Sequence, residues 1–353
     1  MRHSTIIGAV CAAVLFAQPG VANDSMAGFA VGGLELRQTD AVRLLREDLH
    51  ITLDEIRIDY VFRNETDEPV TGIVAFPLPP VGGDDWFEGY ALPQSGRMDY
   101  VGFRTLVDGE PVTMTPEHRI TLDGVDRTAD LLAIGVHAVA VHNWEILELA
   151  RREWTAEQEA ALQAQGFVDE TGRPRWVLQS TYWREQSFAP QTEVRVSHRY
   201  HPVSGGSVDS WFPGRDPSLP RDDPQTAEQA EARAQYAAMR DEMRARYCVT
   251  PEDEARMHAQ LAGETGVIGQ AIFFSAEVDY ILSTGANWRG PIGAFNLVVE
   301  APEDWDFAFL CLPGVQRISQ SRLEFHAENF VPTQDLSIYI SRAAGEAVRW
   351  RED

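Results

Sequence analysis

The chain contains no lysine. All 30 of its basic residues are arginine, set against 54 acidic residues, and the 353-residue chain carries a formal charge of −24. A surface so poor in positive charge repels a phosphate backbone and is no better suited to anionic lipid, so nucleic-acid binding is excluded as an expectation. Long apolar runs are missing as well. The run from Ile6 to Ala17 covers about twelve residues, short of the roughly 20 that cross a bilayer, and no later segment is a better candidate. Recognisable catalytic and metal signatures are also lacking. No G-x-S-x-G elbow is present, only the Gly/Ser-rich Ser204-Gly205-Gly206-Ser207, and no loop shows the D-x-[DN]-x-[DN]-G spacing of a calcium hand.

What the short apolar run does supply is an address. Arg2, the Ile6–Ala17 stretch and Gly20-Val21-Ala22 make a secretory signal with a cleavage site, so residues 1–22 are expected to be removed and the mature chain to begin at Asn23. Cys11 lies inside the apolar stretch, which makes it a poor lipidation site. Removing residues 1–22 deletes one charged residue, Arg2, so −24 becomes about −25. A periplasmic or secreted location follows as an expectation. Of three cysteines, Cys248 and Cys311 survive processing, and an even pair in an oxidising compartment reads as one disulfide.

Periodicity gives the fold class. Ile56, Ile58, Tyr60 and Phe62 alternate with polar residues, as do Trp176, Leu178, Ser180 and Tyr182, and Val194, Val196, His198 and Tyr200 line one side of another strand. The earlier set Leu49, Ile51 and Leu53 is out of phase with Ile56, which predicts a bulge or tight turn near Asp54-Glu55. Asp108-Gly109 marks a hairpin. Thr155 and Gln158 form a capping box opening a helix that ends at Gly166. After the Pro/Asp-rich stretch 214–226, Tyr236, Met239, Met243 and Tyr247 recur at helical spacing, and Thr250-Pro251 restarts a second helix to about Leu261. The expected protein is mainly β: a signal over 1–22, a β-sandwich-like N-terminal region over 23–126, and a C-terminal β region over 127–353 with helical insertions at about 155–165 and 225–262.

Several segments together carry a family resemblance: NDSMAGFAVGGLEL at 23–36, EDLHITLDEIRIDYVFRN at 47–64, VAFPLPP at 74–80, VSHRYHPVSGGS at 196–207 and DYILSTGANWRGPIGAFNLVVE at 279–300. On these the chain resembles DUF4424, a group of uncharacterised exported bacterial proteins. The resemblance implies export and supports pairing of Cys248 with Cys311. It implies no activity, cofactor or catalytic residue.

Candidate site residues are weighed against simpler roles. Asn23, Asp24 and Ser25 would form the new amino terminus, where amine, carboxyl and hydroxyl could share a site. His198 and His201 leave opposite faces of a strand, and His137 and His142 are five apart, so no metal site and no cofactor are expected. Among nine tryptophans, Trp86 and Trp211 are placed on loops, and the Thr284–Pro291 loop offers Asn287, Trp288 and Arg289 as a partner surface, unless Trp288 plugs the core. The expected function is non-catalytic binding to an envelope protein or glycan. The alternative is a hydrolase of an envelope glycan or small ester, using carboxylates in a cleft between the two regions.

Overall fold

The computed structural model describes residues 23–30, 33–82, 89–94, 97–139, 154–207, 212, 226–263 and 272–344. Trp86, Trp211, His142 and the expected signal segment lie outside them. The fold is mainly β, as the alternating patterns predict, with its strands in three sheets.

The largest sheet runs in spatial order Gln316–Arg317, Arg322–Phe330, Ile292–Glu300, Val42–Ile51, Ile56–Asn64, Glu193–Tyr200, Arg104–Val107, Glu110–Val112. Neighbours in it are antiparallel except at its centre. There Ile292–Glu300 lies parallel to Val42–Ile51, with Leu297 beside Leu49. A second sheet carries Val125–Asp126, Thr115–Leu122, Val177–Phe188, Val70–Pro77, Ser25–Ala30 and Gly33–Arg37, and a third joins Phe307–Leu310, Leu336–Ala344, Ile272–Tyr280, Ser204–Ser207 and Gly89–Ala91. Each sheet draws strands from both sides of residue 126. The division expected there therefore separates no sheet, and one core runs from Val42 to Ile340 across it. Period-2 patterns give the strands and their buried faces; they hold no information on which strands pair.

Local signals are reproduced closely. Thr155 caps the helix Ala156–Ala164 with both halves of the capping box formed, and Asp108 and Gly109 take φ of 49° and 88° in the hairpin turn. The phase change before Ile56 is a tight turn: Thr52 N–H donates to Glu55 O at 3.1 Å and Thr52 Oγ1 accepts from Glu55 N–H at 3.0 Å. The helices Ala227–Tyr247 and Pro251–Gly263 cover a smaller core of Phe212, Tyr247, Val249, Met257, Phe307, Phe309 and Tyr339. Of the predicted apolar stripe Tyr247 is buried, Met243 packs on its edge and Tyr236 is exposed.

Cys248 and Cys311 are disulfide-bonded, with Cα atoms 4.9 Å apart. Cys248 ends the longer helix in the left-handed region, at φ 54°, and Cys311 directly follows Phe307–Leu310. The bond ties the helical insertion to the third sheet.

Candidate functional site

The site begins with an irregularity in one strand. In Val42–Ile51 the pairing register to Ile56–Asn64 shifts between Leu44 and Arg46, so Leu45 is an extra residue. Before it the even positions Val42 and Leu44 face the core; after it the odd positions Glu47, Leu49 and Ile51 do. One extra residue reverses the faces of everything beyond it. The glutamate is thereby carried into the interior with no exposed surface. Gly293 makes room for the bulge, since a Cβ there would stand 2.4 Å from Leu45 O.

Glu47 meets the first described residues of the chain. Asn23, Asp24 and Ser25 are fully buried, and each has at least one hydrogen-bond partner distant in sequence. Asn23 Nδ2 donates to Glu47 Oε1 and Oε2 at 3.1 and 3.0 Å, while Asn23 Oδ1 accepts from Tyr60 OH. Asp24 Oδ2 lies 3.1 Å from His198 Nε2. Asp24 O accepts from Trp288 Nε1 at 2.6 Å, and Ser25 Oγ accepts from Asn287 Nδ2 at 3.0 Å. Buried polar groups are costly unless bonded, and here the partners come from three strands and the loop 283–291. Gly285 allows the close approach: its Cβ would meet Asn23 Nδ2 at 3.0 Å.

Burial dominates the electrostatics of this cluster. It pushes the Glu47 carboxyl up to about 8, against the Asn23 bond and with help from the Asp24 and Asp48 charges. Tyr60 and Tyr280, whose hydroxyls lie 3.5 Å apart, are held well above the ordinary tyrosine range by the same loss of solvent. Burial lowers the Arg184 guanidinium, with Asp24 pulling it back up. Asp24 Oδ1 and Arg184 Nε and Nη2 are buried without hydrogen-bond partners. These two residues attract one another through space without closing an ion pair.

The loop that receives the amino-terminal segment also walls a groove. Ser283–Asn287 is a 3₁₀ turn; Thr39 N–H donates to Asn287 O and Arg289 N–H to Val42 O, both at 2.9 Å. Trp288 is 3 % exposed, its ring centred 4.6 Å from Phe62 and 6.3 Å from Phe188. The structure thus places Trp288 in the core and Asn287 half-buried against Ser25, leaving Arg289 exposed beside them. Next to the loop a groove of about 350 Å³ is lined by Gln38, Asp40, Pro291, Phe330 and Val331. Phe330 is half-buried and stacked on Phe295, and Val331 is exposed.

Two other arrangements bear on hydrolysis. Thr105 Oγ1 lies 2.8 Å from His198 Nδ1, which places hydroxyl, imidazole and the Asp24 carboxyl in a line resembling a nucleophile, base and orienting acid. All three are buried, beneath the rings of Phe76 and Phe103. The carboxyls Glu277 and Asp279 line a slot with Pro79, Pro80 and Tyr200, but its cavity is about 30 Å³. Tyr247 OH donates to Glu277 Oε2 at 2.6 Å, and Arg246 lies 3.5 Å from Asp279. Among the described residues no three His, Cys, Asp or Glu side chains converge as a metal would need, and no helix is long and apolar enough to cross a membrane.

Sequence reasoning singled out Asn23, Asp24, Ser25, Asn287 and Trp288, and the structure brings these together. It missed Glu47, Tyr60, Thr105, Arg184 and Tyr280. His198 was legible through its phase with Val196 and Tyr200; a glutamate turned inward by a bulge leaves no such signal.

A family model described as "Domain of unknown function (DUF4424)" matches residues 22–339. No curated protein matches the sequence. Among solved structures, a candidate nutrient-binding protein from Legionella pneumophila subsp. pneumophila str. Philadelphia 1 is similar at 14% identity and a TM-score of 0.40, over 90% of this chain and 72% of that one. An M1 zinc metallopeptidase from Deinococcus radiodurans is similar at 10% identity and a TM-score of 0.27, over 86% of this chain and 43% of that one. The chain thus spans less than half of the metallopeptidase, and at these TM-scores neither likeness carries an argument about activity.

Proposed function

The chain belongs to the DUF4424 family, and from that premise we propose that it is an exported, periplasmic or secreted protein that binds an envelope component without transforming it. The observation that carries this reading is the groove beside the loop 283–291. Its volume of about 350 Å³ falls in the range of small-ligand sites. Its walls combine apolar surface from Phe330, Val331 and Pro291 with an amide and a carboxyl, Gln38 and Asp40, and the Arg289 guanidinium is exposed in the same loop. That combination suits a ring-bearing polyhydroxyl ligand, which needs an apolar face to lie against and hydrogen-bonding groups at its edge. An envelope glycan is the ligand class that fits.

The test is titration calorimetry of the processed protein with soluble envelope glycan fragments, repeated with Arg289→Ala and Asp40→Ala. Saturable binding that both substitutions weaken about tenfold or more supports the reading. Binding that neither substitution alters removes the groove from it.

The second reading, hydrolysis of a glycan or small ester, draws on the Thr105, His198 and Asp24 line. Its geometry favours chemistry and its burial opposes it, because a substrate would have to displace Phe76 and Phe103. Turnover of an ester panel that is lost in Thr105→Val would favour it over binding.

A further inference from the structure

The strongest unexplained feature is the treatment of Asn23, Asp24 and Ser25. Three consecutive residues are fully buried, and their side chains and one carbonyl are bonded by Glu47, Tyr60, His198, Asn287 and Trp288. A chain segment that only began a strand would not need a partner from a distant element at each of three consecutive residues. The socket is also acidic. Asp24 and Glu47 lie within it and Asp48 adjoins it, against His198 and an Arg184 that leaves Nε and Nη2 without partners. Asp24 Oδ1 is buried with no partner at all.

We propose that this socket is the receptor for an amino terminus created by hydrolysis of the Ala22–Asn23 bond, and that seating of the new terminus fixes the loop 283–291 and with it the groove. The proposal rests on the export reading. A peptidase of the export machinery adds water across the amide, leaving a carboxyl on Ala22 and an amine on Asn23, which takes a proton from solvent. The resulting ammonium lies within about 4–7 Å of the Asp24 carboxyl by covalent geometry alone, and it adds a cation beside an Asp24 Oδ1 that neither His198 nor Arg184 bonds. The coupling to the groove is direct, because Asn287 and Trp288 bond Ser25 and Asp24 while the same loop lines the groove. Processing then completes the binding surface as well as releasing the chain.

The experiment compares a chain starting at Asn23 with one carrying two extra residues ahead of it and one whose Asn23 amine is acetylated. Each is made with Glu47 and with Glu47→Gln, and thermal unfolding and amide exchange over 283–291 are recorded. Extension and acetylation should each lower Tm by about 3–6 °C and speed exchange in the loop about tenfold, with less than half the effect in Glu47→Gln. Should Glu47→Gln not fold, acetylation of the otherwise unchanged chain gives the same comparison. Equal Tm and exchange in all three forms overturn the anchor, as does a loss undiminished by Glu47→Gln. The intact mass of the protein recovered from the periplasm answers the export reading separately: a terminus other than Asn23 overturns cleavage at that bond, whatever the melting data show.

Discussion

Asn23 Nδ2 stands 3.1 and 3.0 Å from the two carboxyl oxygens of Glu47, residues 24 positions apart, both without exposed surface. The pair sets a pH dependence whose sign is fixed. Burial raises the Glu47 carboxyl from 4.5 to about 8, so the fold favours its neutral form. The stability it contributes is fully present below about pH 4.5 and is lost as pH rises through 8. The loss amounts to on the order of 4 kcal/mol in a chain whose Asn23 amine is blocked, and less where a free ammonium is close by. Denaturant titrations at pH 5 and 8.5 should show it, and Glu47→Gln should flatten the difference; a slope unchanged by that substitution would contradict the assignment.

Trp288 and Arg289 are adjacent in sequence and opposite in role. Trp288→Ala removes a buried ring packed on Phe62 and the hydrogen bond to Asp24 O, and should cost about 3–5 kcal/mol. Arg289→Ala should stay within about 0.5 kcal/mol of the parent. Urea denaturation of the two single variants distinguishes core from surface, and similar losses in both would refute the division.

Gly293→Ala tests the bulge. The added methyl meets the backbone oxygen of Leu45 at 2.4 Å, and no side-chain rotation relieves a backbone contact. A loss of about 1–3 kcal/mol is expected, together with a shift in the titration of Glu47, which the bulge turns inward. A variant as stable as the parent would mean that the bulge relaxes freely.

Reduction of the Cys248–Cys311 bond opens a 63-residue separation. The chain-entropy model gives about 4 kcal/mol for a loop of this size, and observed losses fall near 2–4. The paired substitutions Cys248→Ser and Cys311→Ser should lower Tm and increase amide exchange mainly in 227–263, because the helices there are held to the third sheet by this bond. An effect spread evenly over the first two sheets would contradict that picture.

The strands and helix caps were readable because their signals are local. The phase of Ile56–Phe62, the capping box at Thr155 and the Asp108-Gly109 turn each depend on a few neighbouring residues. The phase change before Ile56 was also visible and proved to be the Thr52–Glu55 turn. The bulge at Leu45 was not, because detecting it requires knowing that Glu47 faces inward, and a glutamate at a core position looks polar and exposed. The socket was half visible. Asn23, Asp24 and Ser25 stood out through their place after the expected cleavage point, while Tyr60, Thr105 and Tyr280 read as ordinary strand residues whose hydroxyls acquire partners only when distant segments meet. The absence of a division at residue 126 has the same cause, since pairing between strands far apart in sequence leaves no periodic trace.

The parallel pairing of Leu49 with Leu297 bears on how the chain reaches this state. Residues 248 positions apart (297 − 49) must meet before the central strand of the largest sheet has neighbours on both sides. Contacts of such high sequence separation are slow to form, because loop closure must precede any gain from pairing. Until residues near 300 have been synthesised, Val42–Ile51 has one open edge, and a chain stopped short of them cannot complete its main sheet. The order in which the protein becomes whole is therefore set by its last third.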